Sequence, residues 1–309
     1  MTNLRAPSPP ADREIALIEA RLRRLDPTGE RWAAVVRHTY DMIYNGAETG
    51  RYRWDQLMKT EKTHFGTLFE INAQREFQFE GGADLDYSIG GIDVDAKWSQ
   101  DMGRWMMPPE VFDKIALVAT GSDPDSSWSL GLVRVLPEYR SEKTNRDKKS
   151  TLNSAGRDAV RWIWRDAPMP SNVLLQLPRE TVDFIFDNKF GTQRVDRLFR
   201  AAEGRLVHRN IVRTVAMQLD DQKRVRYNGG ARSSLRDEGF LILSGKYHGH
   251  LAEELGLPVP SQLQYVSMRV VPSGDSVGTL IAGRRWMQML LTAVVSEPAP
   301  LLPERGVRE

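Results

Sequence analysis

The sequence predicts an α/β protein: a domain with a mixed sheet flanked by helices, then a mainly helical domain with a winged helix-turn-helix. Three observations carry that reading. Hydrophobic spacing is helical up to about residue 77 and switches to alternation between Leu85 and Trp98. Pro168-Met169-Pro170 then breaks the chain, because two prolines one residue apart cannot sit inside a helix or a central strand. Beyond them lie three short, Arg-rich segments with helical spacing.

Taken in order, residues 12–25 carry apolar positions at helical spacing and predict an amphipathic helix. A second helix spans Glu30 to about Tyr44 and stops at Asn45-Gly46, a helix C-terminus by its residue types. A third covers Thr63 to Phe77, with Thr63 as N-cap and Leu68, Phe69 and Ile71 partly buried. Leu85–Ile89, the Gly90-Gly91 turn and Ile92–Trp98 form a β-hairpin by pattern. Lys114–Ala119 and Ser129–Leu136 are further strands, Ser141–Ser154 a polar loop, and Asp158–Arg165 a helix. The boundary divides an N-terminal domain, 1–166, from a linker, 167–172, and a C-terminal domain, 173–309. In the latter, Val173–Leu177 and Val182–Phe186 start short strands or helices, and Arg194–Ala202, Arg209–Leu219 and Ala231–Glu238 are helical. Gly239–Leu243 with Gly245-Lys246 would begin the wing, and the Pro-rich last 12 residues should fray.

Composition narrows the function. The chain has 309 residues, enough for two cores, and no apolar run near the ~18 residues that a membrane helix needs. Met1 to Asp12 lacks the apolar segment of a secretory signal. No cysteine is present, which excludes disulfides, thiolate metal sites and a Cys nucleophile and fits a cytoplasmic protein. Net charge is only +2, but it is uneven: Lys143–Arg165 holds 7 basic residues against 2 acidic, and Lys189–Lys246 holds 13 against 6. Two basic stretches suit two phosphate-contacting surfaces, although each alone also fits a solvated face.

The chemistry-bearing cluster lies between Glu70 and Lys97. Along the strand Ile92–Trp98, Asp95 and Lys97 share one face while Val94, Ala96 and Trp98 share the other. Asp86 on the paired strand and Glu70 on the preceding helix can reach the Asp95 face. Carboxylates of this kind hold Mg²⁺, which keeps several waters and needs few protein ligands. The ion would neutralise a phosphate and acidify a water, and Lys97 would hold that water against the scissile group. An exposed face of an amphipathic strand would also alternate this way. Against that, Asp84, Asp86, Asp93 and Asp95 crowd like charges on adjacent strands, which costs stability without a counter-ion.

Phe69-Glu70-Ile71-Asn72, Asp84-Leu85-Asp86-Tyr87-Ser88-Ile89 and Asp93-Val94-Asp95-Ala96-Lys97-Trp98 resemble the catalytic region of the NaeI family of type IIE restriction endonucleases. The resemblance covers nearly the whole chain, although Leu85 stands where the common motif has proline. It implies a restriction-endonuclease-like fold followed by a domain similar to the catabolite activator protein. It also implies Glu70, Asp86 and Asp95 as metal-site residues, Lys97 as the catalytic lysine, and Mg²⁺ as cofactor. The implied enzyme is a homodimer that cuts both strands of GCCGGC and binds a second double-stranded DNA copy as effector. In that family a stretch like Asp41–Gly46 is similar to a DNA-ligase motif; here Ile43 replaces its lysine, so no ligase chemistry is expected.

DNA contacts are expected from both basic stretches. In the N-terminal domain these are Lys148, Lys149, Asn153 and Arg157, with the loop Trp98–Arg104 also able to reach a groove. In the C-terminal domain they are Arg224, Arg226, Arg232, Ser233 and Arg236. His248 and His250 read as a surface loop without a third metal ligand, and Trp162 and Trp164 as packing at the domain junction. Two other functions remain open: a non-catalytic winged-helix regulator, and a repair or structure-specific nuclease.

Overall fold

The computed structural model describes residues 12–274, 277–289 and 294–302. The polar stretch before Asp12 and the end of the Pro-rich tail lie outside the described residues. The chain divides into two compact units, residues 1–43 with 58–170, and residues 44–57 with 171–309. Residues 44–57, expected in the N-terminal domain, thus belong to the second unit.

In the first unit, α1 (Arg13–Leu25) is capped by Asp12, whose side chain accepts from the amides of Glu14 and Ile15, and it buries Ile15, Ile18 and Leu22. Helix α2 (Glu30–Tyr44) buries Trp32, Val36 and Tyr40. The short α3 (Gly46–Thr49) belongs to the second unit. Helix α4 is longer than expected, Lys59–Phe77: Glu61 accepts from the Met58 amide, so the helix starts a turn before Thr63. Strands β1 (Glu80–Gly81), β2 (Tyr87–Ile89), β3 (Ile92–Trp98), β4 (Ile115–Ser122) and β5 (Ser127–Arg134) follow.

Two expectations fail in the next segment. Residues 141–154 are not a loop: β6 (Arg140–Thr144) and β7 (Ser150–Leu152) form a two-stranded hairpin, followed by α5 (Ser154–Asp158). Residues 158–165 are not a helix: β8 (Arg161–Pro168) pairs antiparallel with β5. Trp162-Ile163-Trp164 alternates at the strand period, and its aromatic and β-branched residues favour a pleated surface. The sheet order is β1-β2-β3-β4-β5-β8, parallel only between β3 and β4. Trp162 and Trp164 therefore sit on an edge strand of this sheet, against Trp105 and Trp128 respectively. The sheet holds β3 centrally, with Val94 fully buried and Trp98 packed on Phe65 and Phe69.

The second unit is less helical than expected. Helices α6 (Val173–Gln176), α7 (Arg179–Phe186) and α8 (Gly191–Ala201) lead into β9 (Leu206–His208) and α9 (Arg209–Ala216). Helix α10 (Asp221–Val225) has no counterpart in the sequence pattern, and the expected helix Ala231–Glu238 is split into α11 (Ala231–Ser234) and a separate 3₁₀ turn, Arg236–Glu238. Strand β10 (Phe240–Ser244), α12 (Gly249–Glu254), β11 (Gln264–Pro272), β12 (Thr279–Ile281) and β13 (Arg284–Gln288) complete it. With β9 these strands make a five-stranded sheet centred on β11. Strand β10 is apolar on both faces: Phe240 and Ile242 join the helical core around Phe199, while Leu241 and Leu243 join a second core around Met268 and Trp286. A fully apolar run hides its period, which is why no sheet is legible there.

Two local readings are also corrected. His248 is buried, not on a surface loop, and its Nδ1 accepts from the Ser244 amide at 3.1 Å. Ala299 and Leu302, expected to fray, are buried, and the Leu302 amide donates to the Tyr227 hydroxyl at 2.8 Å.

Candidate active site

The β2–β3 hairpin sorts the four aspartates into two kinds. Asp93 accepts from the backbone amides of Ala83 and Asp84, which hold its carboxyl below the usual range. Asp84 pairs with Lys114 at 2.9 Å. Those two stabilise the turn. Asp86 and Asp95 instead converge on Lys97.

Asp86 lies just before β2 rather than within it, and its Oδ2 accepts from the Ala96 amide at 2.7 Å. That hydrogen bond fastens the acid across β3. Asp95 is 4% exposed, and its Oδ2 lies 2.5 Å from the Lys97 ammonium, without a hydrogen bond of good geometry. The same ammonium lies 3.9 Å from Asp86 Oδ2 and donates to the Ala96 carbonyl at 3.1 Å. One cation is therefore ringed by two carboxylates and a carbonyl. Glu70 reaches toward this cluster from α4, and its own carbonyl accepts from the buried Tyr87 hydroxyl at 2.7 Å. That bond ties the helix to the hairpin.

The electrostatics follow from this crowding. Burial pushes the Asp95 carboxyl up to about 6; Lys97 opposes the rise, and Asp86 and Glu110 add to it. Glu70 is also raised, chiefly by burial and then by the field of Asp86. Charged groups shifted this way by desolvation and like charges mark functional sites. Glu110, in the turn Pro109–Val111, is not legible from the sequence because nothing in its spacing relates it to β3.

Among the described residues no three acidic or histidine side chains are close enough to hold a metal by themselves. Mg²⁺ does not require three, since it retains waters and takes one or two carboxylates. The hard-oxygen ring that Asp86, Asp95 and the Ala96 carbonyl place around a positive charge fits such an ion.

The loop leaving β3 is fastened at both ends. Gln100 donates to the Gly121 carbonyl at 2.9 Å, and Trp105 Nε1 to the Ala119 carbonyl at 2.8 Å. Between them Gly103 has φ +80°, and a Cβ there would lie 2.3 Å from Arg157 Cδ. Arg157 lies across this notch with Nη1 on the Leu152 carbonyl at 2.9 Å. Gly103→Ala is expected to cost about 1 kcal/mol and to displace Arg157. Thermal melting and the cleavage rate measure the two effects; an unchanged melting temperature would show that the notch is not needed.

The other expected DNA contacts differ in how free they are. Lys148 is exposed and Lys149 half-buried on the β6–β7 hairpin. Asn153 spends its amide internally, accepting from Gly156 and donating to the carbonyls of Glu138 and Arg140. In the second unit Arg226 and Ser233 are exposed. Arg224 binds Gln218 and Thr192, Arg232 donates to the Ile242 carbonyl, and Arg236 to that of Ala299.

The chain matches the family model described as Restriction endonuclease NaeI over residues 16–289. It is 44% identical over 320 residues to the Type II restriction enzyme NaeI of Lentzea aerocolonigenes, covering 99% of each chain. None of the helices described is long and apolar enough to cross a membrane.

Proposed function

This chain belongs to the NaeI family of restriction endonucleases, and from that premise we propose that it makes Mg²⁺-dependent double-strand cuts at GCCGGC. It is a type II restriction endonuclease, a site-specific deoxyribonuclease acting on double-stranded DNA. The observation that carries the mechanism is the convergence of Asp86 and Asp95 on Lys97.

Asp86, Asp95 and the Ala96 carbonyl would hold Mg²⁺, with the Glu70 carboxylate adding to the field around it, and the ion would supply charge neutralisation at the phosphate and a more acidic water. Asp86 is kept in place by the Ala96 amide, so its carboxylate is preorganised. Lys97 brings its ammonium to a non-bridging phosphate oxygen and to the attacking water, whose proton it helps to release. Lys97→Met is expected to lower the single-turnover rate by about 10²–10³-fold with DNA binding kept. Retention of most of the rate would remove Lys97 from the reaction.

The raised Asp95 carboxyl sets a pH dependence. A metal ligand must be ionised, and Asp95 is ionised above about pH 6 in the metal-free chain. Below that, the Mg²⁺ concentration for half-maximal cutting should rise about tenfold per pH unit. A metal requirement flat from pH 7.5 to pH 5 would contradict the assignment.

The first unit serves as the nuclease domain and the second as a catabolite-activator-like, winged helix-turn-helix domain for effector DNA, joined near residues 167–172. Lys148, Lys149 and Arg157 would line the substrate, and Arg226 and Ser233 the effector, with Arg224, Arg232 and Arg236 shaping that surface. Two cuts on opposite strands need two active sites, which a homodimer provides. The enzyme works in the cytoplasm. Cutting of a one-site plasmid should be accelerated by added GCCGGC duplex, and a plasmid without the site should stay intact. Equal cutting of both plasmids would overturn the specificity, and no acceleration would overturn the effector role.

A further inference from the structure

The second unit contains a pocket whose lining cations outnumber its acids. Arg209, Arg226, Arg232 and Lys246 line it, against Asp221 alone among the described residues. That acid is already saturated. Its Oδ1 accepts from Arg209 Nη2 at 3.0 Å and Arg213 Nε at 2.9 Å, and its Oδ2 from the Tyr265 hydroxyl at 3.0 Å. Arg209 Nε is buried with no hydrogen-bond partner, an unspent donor beside the pocket. Arg226 and Lys246 are exposed, Arg226 with Nε on the Asn228 carbonyl and Lys246 above the Tyr247 ring. Like charges gathered around a concavity repel unless an anion joins them, and arginine forks suit tetrahedral oxyanions.

We propose that this pocket binds a phosphoryl group. A carboxylate holds its two oxygens in one plane; a phosphoryl group spreads its oxygens tetrahedrally and can engage Arg209, Arg226 and Lys246 together. The group can come from the DNA backbone or from a small free phosphate. Only the first source rests on the reading of the second unit as a DNA-binding domain.

The test is calorimetric titration of the full chain, in chelator and low salt, with inorganic phosphate alone. Saturable binding is expected, at least tenfold weaker in an Arg226→Ala/Lys246→Ala variant. Both residues are exposed, so an unchanged melting temperature verifies that this variant folds; Arg209→Lys, which keeps the charge and loses the fork, should also weaken binding. No saturable phosphate binding, or equal binding by both variants, overturns the pocket. GCCGGC duplex is then added to the phosphate-loaded protein: displacement supports DNA as the source, and undisturbed phosphate supports a small anion. Counting duplexes bound per homodimer tests the DNA-binding reading separately, since a single duplex per dimer would end that reading and leave the phosphate result standing.

Discussion

Asp95→Asn is expected to lower cleavage by about 10³-fold or more and, in the absence of metal, to make the folded chain more stable. The activity loss follows from removing one of the two carboxylates on Lys97. The stability gain follows from the same burial that makes the site. The Asp95 carboxyl titrates near 6 instead of 3.8 even with the Lys97 attraction included, so its ionised form is disfavoured in the folded state. A rise of that size corresponds to roughly 2–3 kcal/mol. The folded pKa is raised, so the penalty is full above about pH 6 and shrinks as pH falls toward 3.8, below which the acid is protonated in both states. Asp95→Asn should therefore unfold at higher urea than the parent at pH 7.5 in chelator, and at similar urea near pH 4. A variant less stable at pH 7.5 would show that Asp95 is a structural partner of Lys97, not a strained ligand.

Gly46→Ala should be a strongly damaging small substitution in the second unit. A Cβ there would lie 2.1 Å from Thr214 Oγ1 and 2.7 Å from its Cγ2. Thr214 cannot easily yield: it is buried, β-branched, and its hydroxyl donates to the Asn210 carbonyl at 2.7 Å. Overpacking of this kind costs about 2–3 kcal/mol. Thr214→Ala removes these two atoms but not the Thr214 Cβ at 2.8 Å, so the double variant should recover part of the loss. Chemical denaturation of the four proteins of the cycle measures this; additive losses would mean that the two residues do not meet. The result also gives Asn45-Gly46 a packing role. Asn45 adopts the left-handed conformation, φ 48°, that ends α2, and Gly46 admits the close approach of α9.

The catalytic hairpin is legible in the sequence because its alternation, its Gly90-Gly91 turn and its Asp-x-Lys spacing are all local. The division of labour among its aspartates is not. Asp93 and Asp84 differ from Asp86 and Asp95 only through the partners that folding supplies, the amides of residues 83 and 84 and Lys114. The charge spacing across residues 158–165 suggests a helix, whereas pairing with β5 decides the conformation of β8. Arg232 and Arg236 look like free groove readers in the sequence, but the carbonyls of Ile242 and Ala299 hold them. Residues 44–57 cannot be assigned from sequence, since their partners, Asn172 for Tyr52 and Thr214 for Gly46, lie more than a hundred residues later.

Glu70, Asp86, Asp95 and Lys97 are expected to act as one hydrolytic site. The most direct test measures binding and cutting of one labelled GCCGGC duplex in the same reaction, for the parent and for Glu70→Gln, Asp86→Asn, Asp95→Asn and Lys97→Met. Binding is read first in chelator and cleavage after Mg²⁺ is added. All four variants should bind within a few-fold of the parent and lose cutting together. Near-parental cutting by Asp86→Asn or Asp95→Asn would contradict a single site.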